Sequence, residues 1–267
     1  MNQTEILFCG AGRMANAIIS RIYEDPAFCV TVTNRDNQSR LQDLKDRYQI
    51  EFVTHWSQFI AKADIIILAF PPELHKEVLT EMRPYIQNQC VITIAGGYTL
   101  SALEKLLPPK TAAAWLMPNT ASQLGESMTL YTCNQYVAAT EREKIVHLLK
   151  RIGSYQLCTE TQIQKLTAIT GSASAFLYYF AESLEQIATS YGLSETDARQ
   201  MVSQMIYGSA HLLQQGDSPA FLRDQVTTPG GSTAAGVEIL EQNQFKTLMQ
   251  KAVQATNERA EQLSNLK

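Results

Sequence analysis

The chain is poor in metal-binding patterns. Its five Cys residues (Cys9, Cys29, Cys90, Cys133, Cys158) form no C-x-x-C pair, and its four His residues never stand at i and i+4. That spacing excludes the familiar zinc motifs, so no metal is expected and the histidines read as satisfied or surface groups. An odd number of scattered cysteines suits buried free thiols in a reducing cytoplasm. The N-terminal residues lack the basic segment and apolar segment of a secretory signal. The longest apolar stretches, such as residues 65–70, are strand-sized; a membrane helix needs about 20 apolar residues, so no membrane partner is expected. There is no long block of one charge, and the net charge is −4. Nucleic-acid binding, which needs clustered Lys and Arg, is disfavoured. Repeats and low-complexity tracts are also missing.

What remains is a chain of 267 residues, 45% hydrophobic and 18% charged, enough for one or two domains at roughly 100–200 residues each. Residues 6–9, 30–33, 65–70, 91–95, 112–117 and 128–131 are apolar almost throughout, as strands covered on both faces should be. Helix-like segments at 14–23, 39–47, 72–82 and 101–106 lie between several of them. Another helix at 141–151 leads to a short strand at 155–158. Such alternation predicts βαβ units and a mostly parallel sheet. After residue 158 no further strand is expected. Residues 162–191 read as one long helix with apolar positions at helical spacing. Gly192 stops it, Ser194 with Asp197 caps the next helix, and residues 244–266 form the last. This helical half carries more apolar surface than a small domain hides alone, which points to a second subunit.

The first strand runs into Gly10-Ala11-Gly12-Arg13-Met14-Ala15, a G-x-G-x-x-A fingerprint with a helix after it. Gly10 permits the turn, Gly12 lets backbone N–H groups approach a pyrophosphate, and Ala15 lets the helix pack on the sheet. These features assign an α/β fold: an N-terminal Rossmann-like dinucleotide-binding domain over 1–158 and an all-α C-terminal dimerisation domain over 159–267. At the tip of the second strand stand Thr33-Asn34-Arg35, with no acid among them. Arg35 can pair with a 2′-phosphate, which favours NADPH; Asp36, one step later, is the alternative ribose partner and keeps NADH open.

In the helical half, Val226-Thr227-Thr228-Pro229-Gly230-Gly231-Ser232-Thr233 is the informative segment. Pro229 restricts its predecessor to extended backbone. Gly230 and Gly231 allow a concave turn, and Ser232 or Thr233 can open a helix. Several N–H groups and a positive dipole end would then converge, which suits a carboxylate and suits an ordinary helix cap equally.

This run resembles the signature of pyrroline-5-carboxylate reductases, L-x-D-x-V-x-S-P-G-G-x-T-I. Further landmarks occur in the same order: Gly10–Ala15, Ala69-Phe70-Pro71-Pro72, Ala95-Gly96-Gly97, Met117-Pro118-Asn119-Thr120 and Gly125-Glu126. The resemblance implies reduction of the C=N bond of a small-molecule substrate, 1-pyrroline-5-carboxylate, to L-proline with NADPH or NADH. It also implies a homodimer, or a larger ring of dimers. Carried over, Gly230, Gly231, Ser232 and Thr233 hold the substrate, with Thr233 the catalytic donor to its ring nitrogen. Gly10, Ala11, Gly12, Arg13 and Met14 hold the pyrophosphate. Asn34 and Arg35 meet the adenosine ribose or its phosphate. Ala69, Phe70, Pro71, Ala95 and Gly96 line the path toward the nicotinamide.

Three positions depart from the family pattern. Phe70-Pro71-Pro72 stands for V-K-P, Gly171-Ser172-Ala173-Ser174-Ala175-Phe176 stands for G-S-G-P-A-Y, and Ala121 follows M-P-N-T in place of Pro. A reductase of another cyclic imine and a non-catalytic dinucleotide binder stay open as alternatives. A β-hydroxyacid dehydrogenase is disfavoured, because its G-x-x-x-K-x-x-N pattern is missing after Gly171.

Overall fold

The computed structural model describes residues 3–35 and 37–265. Two compact units divide them: residues 1–171 together with 257–267, and residues 172–256. The division falls within a π-helical turn, later in the chain than the boundary expected after residue 158. The reason is that the helix following residue 158 packs Ile163 into the sheet's own core.

The first unit is built on eight strands: β1 (Thr4–Cys9), β2 (Phe28–Thr33), β3 (Glu51–Val53), β4 (Ile65–Leu68), β5 (Cys90–Thr93), β6 (Ala113–Met117), β7 (Ser127–Cys133) and β8 (Gly153–Leu157). Their spatial order is β3-β2-β1-β4-β5-β6-β7-β8. All neighbours are parallel except β6 and β7. Helices α1 (Arg13–Ile22), α2 (Gln38–Tyr48), α3 (His75–Met82), α4 (Leu100–Leu106) and α5 (Ala139–Ile152) connect them. β3 went unforeseen because three residues at the sheet edge carry too little apolar pattern.

Period-two alternation divides each central strand between two cores. Ile6, Phe8, Ile65 and Ile67 pack against Ile18, Ile19 and Ile22 of α1 on one face. Leu7, Cys9, Ile66 and Leu68 pack against Leu79, Met82 and Leu103 on the other. Each such side chain contributes about 1.5–3 kcal/mol when fully removed from water. The order reverses between β1 and β4, since the chain builds outward to β3 and then crosses back. In open α/β sheets that reversal opens a crevice at the carboxyl ends of the strands, where ligands bind.

After β8 the chain is helical: α6 (Glu160–Thr167), a π-helical turn over Ala168–Ser172, α7 (Ala173–Ser190), α8 (Glu195–Gln214), α9 (Pro219–Gln225), α10 (Ser232–Gln242) and α11 (Phe245–Asn265). The long helix expected over 162–191 is therefore interrupted by a π turn. α6 begins with a capping box, Thr159 with Gln162, and α8 with the Ser194 hydroxyl accepting the Asp197 N–H at 3.1 Å. Among the described residues of the second unit, only Ala188, Ala198 and Val202 are buried apolar groups. No helix of the described residues is long and apolar enough to cross a membrane.

Candidate functional site

The turn after β1 is held from both sides. Gly10 N–H donates to the Thr33 carbonyl at 2.8 Å, and Ala69 N–H donates to the Cys9 carbonyl at 2.8 Å. Gly10 takes φ +112°. A Cβ there would run into the Ala69 carbonyl, with the carbonyl carbon only 2.7 Å away. Both restraints require glycine. Gly12 is the N-cap of α1 and gives it no side-chain cap; no acidic residue occupies the first turn. The leading N–H groups and the positive end of the helix dipole are thus left for an anion, which fits a dinucleotide pyrophosphate. Ala11, Arg13 and Met14 border the same helix start.

Arg35, beyond β2, pairs with Glu77 of α3, Nη1 to Oε1 at 3.1 Å, and both are exposed. An exposed pair of this kind is worth at most about 1 kcal/mol, so it can yield to a phosphate. Asp36 lies outside the described residues. Phe70 and Pro71 follow β4, and Ala95 and Gly96 follow β5. The Ala95 N–H donates to Thr93 Oγ1 at 3.2 Å, and the Ala95 carbonyl accepts Trp115 Nε1–H at 3.2 Å. The expected cofactor residues therefore all belong to the first unit, at the carboxyl ends of β1, β2, β4 and β5.

The expected substrate residues belong to the second unit. Gly231 N–H donates to the Thr228 carbonyl at 2.9 Å, and Gly230 takes φ +75°. With Pro229 ahead of it, this is the pattern of a type II turn. A Cβ on Gly231 would press within 2.5 Å of Thr228 Oγ1. α10 opens at Ser232 with Gly231 as N-cap and no side-chain cap. Ser232 and Thr233 are exposed. The concave turn read from the sequence is thus formed, with unclaimed donors at its mouth.

Two features escaped the sequence reading as functional positions. Asn119 of the M-P-N-T run accepts Ala121 N–H at 2.9 Å and donates from Nδ2 to the Thr170 carbonyl at 2.8 Å, tying that run to the π turn. π turns inside helices recur at functional sites. His75 is completely buried, with both ring nitrogens engaged. The only signal for it was a His at an apolar position of α3, three residues after the Phe70-Pro71-Pro72 run.

A mostly parallel sheet with a glycine turn at its order reversal, followed by an apolar all-helical unit, is the plan of a dinucleotide-dependent oxidoreductase. Residues 160–263 match the model described as pyrroline-5-carboxylate reductase dimerisation, and residues 5–97 match that of NADP oxidoreductase, coenzyme F420-dependent. Pyrroline-5-carboxylate reductase 2 of Bacillus subtilis is 33% identical over 97% of this chain and 95% of its own. The Plasmodium falciparum pyrroline carboxylate reductase, crystallised with NADP bound, superposes with TM-score 0.88 at 27% identity, covering 99% of each chain. The Streptococcus pyogenes enzyme gives TM-score 0.89 at 26% identity, covering 98% of this chain and 100% of that one. The chain belongs to the pyrroline-5-carboxylate reductase family.

Proposed function

We propose that this chain reduces 1-pyrroline-5-carboxylate to L-proline with NADPH, and that NADH serves as a weaker alternative. One observation carries the reading: two separate anion-ready turns, Gly10–Gly12 and Pro229–Thr233, each end in an uncapped helix within a chain that matches its relatives along its whole length. The first suits a pyrophosphate and the second a carboxylate.

When bound, NADPH supplies the hydride that reduces the C=N carbon. The residues around it do the rest. Gly10, Ala11, Gly12, Arg13 and Met14 hold the pyrophosphate, Asn34 and Arg35 the adenosine ribose and its 2′-phosphate. Ala69, Phe70, Pro71, Ala95 and Gly96 receive the nicotinamide end. The N–H groups of Gly230 and Ser232, on either side of the Gly231 that closes the turn, hold the substrate carboxylate. A protonated imine is already electrophilic, so alignment is the main requirement and contributes roughly 7–11 kcal/mol. As the carbon takes hydride, the ring nitrogen regains its lone pair. The Thr233 hydroxyl donates to that lone pair, an interaction made only as the bond forms. No further proton is needed until the product amine is protonated from water.

The active form in this reading is a homodimer. Tyr178, Tyr179, Tyr191 and Tyr207 are all more than half exposed in the single chain, far more aromatic surface than a small helical unit leaves to water. Five free cysteines suit a cytoplasmic location.

The test is oxidation of NADPH and NADH by purified protein with pyrroline-5-carboxylate, Thr233→Ala alongside. Substrate-dependent oxidation that falls by about 2–4 kcal/mol of barrier in the variant is the expected result. Tight NADPH binding without turnover would leave a binding protein, and turnover with other cyclic imines alone would change the substrate.

A further inference from the structure

His75 occupies a core position of α3, in line with Leu79 and Met82, and all three are completely buried. An imidazole there is costly unless its polar atoms are bonded. Its Nδ1 faces the Pro71 carbonyl at 3.3 Å, and its Nε2 faces Thr93 Oγ1 at 2.9 Å. A carbonyl only accepts, so Nδ1 carries the hydrogen; in the neutral ring that complete burial favours, Nε2 then accepts from the Thr93 hydroxyl. That hydroxyl in turn accepts the Ala95 N–H at 3.2 Å. One tautomer thus satisfies the whole series, from Ala95 N–H through Thr93 and His75 to the Pro71 carbonyl, without a buried charge. The ring is also packed against Phe70, with centroids 4.8 Å apart, and Tyr98, 4.2 Å apart.

The two ends of this series are the segments assigned to the nicotinamide, Phe70–Pro71 after β4 and Ala95–Gly96 after β5. The last backbone bond between these two strands is Ile94 N–H to the Leu68 carbonyl at 3.3 Å; past it, the spacing of the loops is set through the side chains of His75 and Thr93. We propose that His75 is a positioning residue for hydride transfer: with Thr93 it fixes the separation and aim of the two loops that receive the nicotinamide. This rests on the cofactor placement proposed above. Nδ1 bonds the first loop itself, and Nε2 reaches the second through Thr93, the last residue of β5, whose hydroxyl accepts the Ala95 N–H.

Two variants test it. His75→Phe keeps volume and ring packing while removing both bonds. Thr93→Val removes the central hydroxyl at nearly constant shape, and decides the matter if the first variant fails to fold. Affinities for NADPH and for 2′,5′-ADP, which lacks the nicotinamide end, are measured by calorimetry in each variant and in the double variant. NADPH should weaken by about tenfold in each single variant, with 2′,5′-ADP within about twofold of the parent. The double variant should be no weaker than the worse single one, because the groups act as one unit. Unchanged NADPH affinity, equal losses for both ligands, or multiplied losses in the double variant would overturn the proposal. If the parent fails to reduce pyrroline-5-carboxylate while the split between the two ligands persists, the positioning role stands and the proposed reaction falls.

Discussion

Arg35 and Glu77 pair across the gap between the β2 tip and α3, Nη1 to Oε1 at 3.1 Å. A 2′-phosphate bound at Arg35 must share or displace that carboxylate. Glu77→Gln should therefore tighten NADPH by about two- to fivefold, the worth of an exposed ion pair. Arg35→Ala should weaken NADPH by about ten- to a hundredfold and leave NADH nearly unchanged. KM values for both cofactors at low and high salt check this, since screening should shrink the difference.

Gly10 and Gly12 should respond differently to alanine. At Gly10 the substitution combines a positive φ with an obstructing Ala69 backbone, and should cost at least about 2 kcal/mol of stability. At Gly12 a Cβ would meet only the Ala69 carbonyl oxygen, at an ordinary 3.9 Å. Gly12→Ala should unfold in urea nearly like the parent yet bind NADPH poorly, because its methyl would stand in the approach proposed for the pyrophosphate. Equal destabilisation of both variants would refute the distinction.

Asp25 anchors α5 to the start of β2. Burial pushes its carboxyl upward, but the Ala27 N–H, His147 and Arg151 outweigh burial and hold it below the usual carboxylate range. His147 Nε2 lies 2.8 Å and Arg151 Nε 3.2 Å from Oδ2. A depressed carboxyl stabilises the fold above its unfolded value, about 3.9, and the gain is lost as pH falls through the lower folded value. Asp25→Asn should cost about 1–3 kcal/mol at pH 7, and the gap to the parent should narrow as the acid limb is crossed. Urea unfolding at neutral and acid pH measures both.

The thiols should be silent in the native state. Burial pushes Cys9 and Cys90 up to about 12, Cys90 with small contributions from neighbouring groups. Only a minute thiolate fraction exists near neutrality, and the thiolate is the reacting species. Iodoacetamide at mild alkaline pH should label neither residue until denaturant is added. Rapid native labelling of Cys9, next to the Gly10–Gly12 turn, would show that turn opening locally.

Much of the fold was legible because strands buried on both faces are apolar throughout and the glycine turn carries its own chemistry. Residues 6–9 and 30–33 read as strands and are strands; Ser194 read as a cap and is one. The second glycine turn was legible for the same reason, since Pro229, Gly230 and Gly231 restrict their own backbone. The β3 edge strand, the helix α9 and the π turn at Ala168–Ser172 were not, because each is too short to show a period of its own.

The sequence by itself determined the alternation of strands and helices, the two turns and their donors, since these depend on local backbone freedom and side-chain period. Tertiary structure alone decided which groups meet. Sheet order brought Ala69 against Gly10, α3 brought Glu77 to Arg35, and burial placed His75 between Pro71 and Thr93. The His75–Pro71 bond is local, four positions apart; the others join residues 18 to 59 positions apart, beyond the reach of any local periodicity, and only packing of the whole sheet selects them.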